Sequence, residues 1–258
     1  MTKRFLEIGD CHGMHVVAEI DKNGVVFRGY DPDVEEAAQA LGLEPSLCAE
    51  ILEDADTASI NYTLLEWLDN ARSADWIALA LALGADPNYK RVYQDDSHLI
   101  LAILEERDAP SPDRVGVLLE GGAHIGPPEI HRAAKYGSIP ILRLLIKYGV
   151  SADDLSQHAI KAAAKSNEPD VVQFLIDQGA RPWVHGSEIF RSMFEDFRGR
   201  ERNPEDAARI TEMLLNTHRF SKSSIATGYS SAALAGNKLA EAVFENYICE
   251  HMLNDGDE

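Results

Sequence analysis

Cysteine is scarce in this chain. Cys11, Cys48 and Cys249 are odd in number, far apart and without a CxxC spacing, which excludes a disulfide framework and a zinc site legible in the sequence. Free thiols point to a reducing compartment, so a cytoplasmic location is expected. Long apolar runs are absent too. None approaches the ~18 residues of a membrane span. The amino end meets Glu7 and Asp10 early and lacks the apolar core of a secretion signal. Basic residues are few: 24 Lys and Arg stand against 43 Asp and Glu, a formal charge of −19. Such a chain repels nucleic acid and anionic membranes, because a phosphate backbone needs a cationic patch facing it. No Ser/His/Asp set, HExxH or phosphate-cradling glycine loop emerges. Catalytic residues, metal ligands and cofactors are therefore all expected to be absent.

What is abundant is acid, and it is unevenly spread. Residues 1–60 hold 13 acids against 4 bases. No base occurs between Arg28 and Arg72, a stretch with eleven acids from Asp31 to Asp69. Such a belt either solvates the surface or attracts a basic partner. Arg191, Arg198, Arg200, Arg202 and Arg209 make the one locally basic stretch, and acids interleave it.

The first thirty residues read as strands. Arg4-Phe5-Leu6-Glu7-Ile8 alternates polar and apolar, and His15–Ile20 does so in part. Asp21-Lys22-Asn23-Gly24 carries the Asn-Gly pair of tight hairpins, and Val25–Tyr30 returns as a third strand. Asp31-Pro32-Asp33 opens a helix with Val34, Ala37, Ala38 and Leu41 on one face, and a second helix follows Glu44-Pro45-Ser46. Residues 1–56 are thus expected to form a small α+β domain of three strands and two helices.

From about residue 60 the strand signal stops and a repeat begins. Its unit is a short helix, a tight turn, a longer apolar helix, then Gly followed by a small residue. Gly84, Gly122, Gly149 and Gly179 close four units at spacings of 38, 27 and 30. Each fits the position just past a helix end, where a left-handed backbone penalises Cβ. One helix pair cannot bury its apolar face alone, so stacking must supply the core. Ala133, Ala134, Ala162 and Ala163 allow close approach of the first helices, and the leucine-rich second helices fill the interior.

Gly84-Ala85-Asp86-Pro87-Asn88 resembles the repeat ending of the ankyrin-repeat family, and Ile130-His131-Arg132-Ala133-Ala134-Lys135-Tyr136-Gly137 its first helix. Ile141-Leu142-Arg143-Leu144-Leu145 follows as the second helix. Weaker versions begin at His98 and His158, and divergent ones at Thr63 and Ile189; a last pair runs from Ala232 to His251. The family's Thr-Pro before the histidine is missing, and residues 105–113 and 198–206 read as insertions between helices. The resemblance implies a mainly α-helical solenoid of about six units over residues 60–253.

Three local features compete with that reading. Gly9-Asp10-Cys11-His12-Gly13 resembles the first metal motif of metallophosphoesterases, but the second and third motifs needed for a two-metal clamp are missing. A turn between strands is the stronger reading. His98, His131 and His158 recur at one place in their repeats, a pattern expected of structural hydrogen bonding at the first helix. Cys48 and Cys249 lie on apolar helical faces, where buried thiols are expected.

Binding is what remains. Asn88–Asp95 and Arg181–His185 are loops at repeat tips, and Tyr, Trp and Arg are enriched at hot spots. Tyr89, Arg91, Tyr93 and Trp183 are the candidate anchors; Glu35, Glu36, Glu53 and Asp54 represent the acidic belt. The ankyrin resemblance implies a non-enzymatic module that binds a protein partner. The acidity suggests an inhibitor or immunity protein covering a basic partner such as a nuclease, with viral counter-defence as a variant. The alternatives are an ankyrin-bearing effector and an enzyme seated in residues 1–56.

Overall fold

The computed structural model describes residues 4–11, 14–21, 24–30, 61–62, 64–65, 67–68, 72–82, 84–89, 99–104, 110–195, 203–217 and 219–252. The chain divides into two compact units, Met1–His124 and Ile125–Glu258.

In the first unit the backbone of β1 (Arg4–Cys11), β2 (Met14–Asp21) and β3 (Gly24–Tyr30) forms an antiparallel sheet in the order β1-β2-β3. Arg4 pairs with Ile20 and Asp21 with Gly24, and the β1–β2 register shifts between Glu7 and Gly9. Asp10 lies within β1, opposite His15. The two helices expected over residues 31–56 lie outside the described residues, as do His12, Cys48 and His98. Helical residues 61–62, 64–65 and 67–68 precede helices α1 (Ala74–Ala82), α2 (Leu99–Leu104) and α3 (Pro112–Glu120), α3 packing on both α1 and α2. Their core holds Leu64, Trp67, Ile77, Ile100, Ile103 and Leu118, with Trp67 edge-on to Trp76 at 5.0 Å. Arg114 is buried in α3 and donates from Nη2 to the Leu68 carbonyl at 2.8 Å.

The second unit is helical throughout its described residues. Its first-position helices are α4 (Pro127–Lys135), a composite of α6 (Ala152–Asp154), a π-helical turn (Leu155–Ala159) and α7 (Ile160–Ser166), then α9 (Gly186–Glu195) and α11 (Lys222–Ala235). Its second-position helices are α5 (Ile139–Lys147), α8 (Pro169–Asp177), α10 (Pro204–Leu215) and α12 (Lys238–His251). A 3₁₀ turn, Pro182–His185, leads into α9. Each first helix packs on the next, α4 on the composite helix, α7 on α9 and α9 on α11, while α8, α10 and α12 stack behind them. Ala133, Ala134, Ala162 and Ala163 are all buried where first helices meet, as their size allows.

Proline with a capping residue decides where several helices start. Ser111-Pro112 and Asn203-Pro204 each place a side-chain acceptor at the cap and a proline in the first turn. The two stretches expected as insertions therefore end inside helices α3 and α10.

Helix ends are set by backbone handedness. Gly84, Gly122, Gly149 and Gly179 have φ of 106°, 94°, 108° and 87°. An added Cβ at Gly84 meets nothing within 4 Å, so the penalty there is conformational alone. Gly84→Val and Gly179→Val are each expected to cost about 1–2 kcal/mol, the left-handed penalty of a residue with Cβ. Equilibrium denaturation of the two variants measures it, and unchanged midpoints for both would refute the assignment.

Candidate functional site

Two surfaces bear on binding: the turns that follow second helices, and the outer row of first helices.

Within each unit, the turns make a similar pair of contacts, one back and one forward along the sequence. In the first unit, Asp86 donates its N–H to Asn61 Oδ1 at 2.7 Å, twenty-five residues back. In the second, Arg181 donates its N–H to Ser156 Oγ at 2.7 Å, across the same separation. Each donor lies two residues past a left-handed glycine, Gly84 or Gly179. Going forward, Asn88 Oδ1 accepts from the N–H of His124 at 2.7 Å, and Asn88 Nδ2 donates to the Gly122 carbonyl at 3.1 Å. Counting from the glycine, Trp183 holds the place of Asn88. The Arg219 guanidinium lies 4.9 Å from its ring centroid, and Arg219 is thirty-six residues on, as His124 is from Asn88. A cation–π stack thus replaces a hydrogen bond as the link between successive turns.

This places two candidate anchors. Tyr89 is half-buried in the turn, its N–H donated to the Asp86 carbonyl at 3.0 Å. Trp183 is half-buried in the 3₁₀ turn and carries Arg219 on its face, a partner that sequence reading missed. Arg91, Tyr93, Glu35, Glu36, Glu53 and Asp54 lie outside the described residues.

The row of first helices has its own register, set at the carboxyl ends. Gly137, Asn167 and Gly236 are left-handed, with φ of 73°, 65° and 75°. Each donates its N–H to an alanine carbonyl three residues back: Ala134, Ala164 or Ala233. The two residues before each cap are thus equivalent, giving the pairs Lys135-Tyr136, Lys165-Ser166 and Leu234-Ala235. Tyr136 and Leu234 are prominent on this ridge, at 48% and 71% exposed.

The same register corrects the reading of the histidines. Counting back from the cap, His131 aligns with Lys161, and His158 lies three residues too early. The cause is the π-helical turn at Leu155–Ala159, which lengthens this first helix at its start. Ser156 in that turn donates to the Ala152 carbonyl at 2.6 Å while accepting from Arg181.

Charge around His131 is locally positive. Desolvation, the cations Arg132, Lys135 and Lys161, and neighbouring His158 push the His131 imidazole below its ordinary value. Lys161 reaches across to α9 and donates to Glu188 Oε1 at 2.5 Å, which holds that carboxyl below its usual range. Ser151 caps Asp154 at the far end and lowers its carboxyl likewise. Between α9 and α11 a pocket of about 560 Å³ is lined by Arg191, Phe194, Glu195, Ser231, Leu234 and Ala235.

Among the described residues no group of three His, Cys, Asp or Glu is placed to hold a metal ion. No described helix is long and apolar enough to cross a membrane. Cys249 is exposed, against the expectation of a buried thiol, because α12 buries the side that carries Ala240 and Phe244.

Residues 99–185, about a third of the chain, match the family model for ankyrin repeats in three copies. Residues 99–185 thus carry ankyrin repeats. No curated protein matches it. The ankyrin match embraces α4, the composite helix and their second helices, and ends before α9 and α11. Ankyrin repeats are protein–protein interaction modules, and the π-turn lies within the matched residues.

Proposed function

We propose that this ankyrin-repeat protein is a non-enzymatic binder of inhibitor or immunity type, which covers a basic protein partner such as a nuclease. The observation that carries this reading is the excess of acid, −19 overall and concentrated in residues 1–60. The domain plan that goes with it is a small α+β domain at residues 1–56 and about six repeats over residues 60–253. The acidic belt steers the partner in, and Tyr89, Arg91, Tyr93 and the free edge of Trp183 form close contacts at the turns.

Steering and docking separate kinetically. A partner recovered by pull-down from the native source should associate more slowly as salt rises. Replacing Glu35, Glu36, Glu53 and Asp54 by Gln or Asn should lower the on-rate and leave the far-ultraviolet circular dichroism unchanged. Truncating Tyr89, Arg91, Tyr93 or Trp183 should raise the off-rate instead. Salt-independent association, indifferent to the belt variants, would reduce the belt to a solvated surface.

A further inference from the structure

The pocket between α9 and α11 lies beyond the residues that match the ankyrin repeats, and its lining comes as two matched sets. Arg191, Phe194 and Glu195 share one face of α9 by their i, i+3, i+4 spacing. Ser231, Leu234 and Ala235 share one face of α11 in the same way. One turn earlier the two helices are in close contact: a Cβ added at Gly228 would stand 2.9 Å from Phe190 Cγ. Past that contact they leave a cavity of about 560 Å³, within the range of small-molecule sites.

The lining joins apolar surface to charge of both signs. Phe194 is buried and Ala235 half-buried, while Arg191 and Glu195 are exposed. Among the described residues the charged contacts of α9 run from Glu188, to Lys161 at 2.5 Å and His185 at 3.9 Å, and none joins Arg191 to Glu195. Arginine four residues before glutamate is also the weaker order for such a pair, since it opposes the helix dipole. This mixture selects by charge. A lone anion is drawn to Arg191 and repelled by Glu195, and a lone cation meets the reverse. A molecule that carries both charges close together meets each with its opposite. Ser231 adds a hydroxyl that donates or accepts from the facing helix.

We propose that this pocket binds a small zwitterion with an apolar side chain, an α-amino acid of the size of leucine or phenylalanine. Its carboxylate takes the Arg191 guanidinium and its ammonium takes Glu195. The side chain lies against Phe194, Leu234 and Ala235, where its burial drives binding. The inference goes beyond the capture of a basic partner, since it uses neither the acidic belt nor the turns.

Titration calorimetry of the full chain with L-leucine and L-phenylalanine tests it. Each should bind with a Kd below about 1 mM, and glycine should give no heat of binding. N-acetyl-leucine keeps only the negative charge and leucinamide only the positive, so each should bind at least about tenfold more weakly than leucine. Two rim variants should reverse these preferences. Glu195→Gln removes the repulsion of N-acetyl-leucine and should raise its affinity to that of leucine or above. Arg191→Gln should do the same for leucinamide. Both side chains are exposed, so the fold should be kept, and circular dichroism checks it. Failure of both amino acids to bind, equal affinity for leucine and its two singly charged derivatives, or affinities indifferent to both variants would overturn the proposal. Belt variants act on capture of a basic partner and not on these ligands, so the two ideas fail separately.

Discussion

Phe190→Ala should lower the stability of the second unit by about 3–5 kcal/mol, the range for removing a fully buried aromatic ring. Phe190 on α9 is wholly inaccessible to solvent. Its ring lies 5.2 Å from that of Phe244 on α12, at 75° between planes, and 4.9 Å from that of Phe220. The edge-on pair adds about 0.5–1.5 kcal/mol beyond area burial. These three rings tie a first helix, the segment before α11 and the last second helix into one cluster, so removing the central one leaves a cavity that no single neighbour can fill. Urea denaturation followed by tryptophan fluorescence measures the loss. Phe190→Leu should retain about half of it, and a drop below about 1 kcal/mol for Phe190→Ala would place the cluster outside the cooperative core.

Gly228→Val should be nearly as severe, for the opposite reason. Gly228 lies mid-helix in α11, where glycine ordinarily costs about 1 kcal/mol against alanine. Here an added Cβ would stand 2.4 Å from Phe244 Cζ and 2.9 Å from Phe190 Cγ. No real contact is that short, and both rings are locked by their own burial. Overpacking of this kind costs about 1–3 kcal/mol, sometimes more. The two effects are separable because the clash has a named partner. Phe244→Leu shortens the ring that obstructs, so the double variant Gly228→Ala with Phe244→Leu should be more stable than the sum of the single losses implies. Strict additivity in that cycle would mean that α11 and α12 do not meet at Gly228.

Both cases bear on what the sequence made legible. Helix ends were readable because a left-handed residue needs glycine, and Gly84, Gly122, Gly149 and Gly179 have positive φ. Buried alanines on the first helices were readable because close helix approach admits nothing larger. The π-turn at Leu155–Ala159 was not, since its residues are ordinary helix formers and the turn expresses a fit to Arg181 twenty-five residues away. Trp183 looked like a bare loop tip for the same reason: its partner Arg219 is distant in the chain, and no local pattern announces a stack. Gly228 could be read only as a helix weakness until Phe244 was placed beside it.

The left-handed caps have a consequence for how such a chain can change. Length variation enters at the start of a first helix, as the composite helix before Asn167 demonstrates, while the cap and the two residues before it keep their geometry. An insertion upstream is therefore absorbed without moving Lys165 relative to Lys135. The pair before the cap is insulated from insertions and deletions, and its exposed member can change by single substitutions, lysine to leucine for instance, with the scaffold left as it was. Length and surface chemistry are thus written in separate parts of each repeat, so that one can vary while the other keeps its geometry.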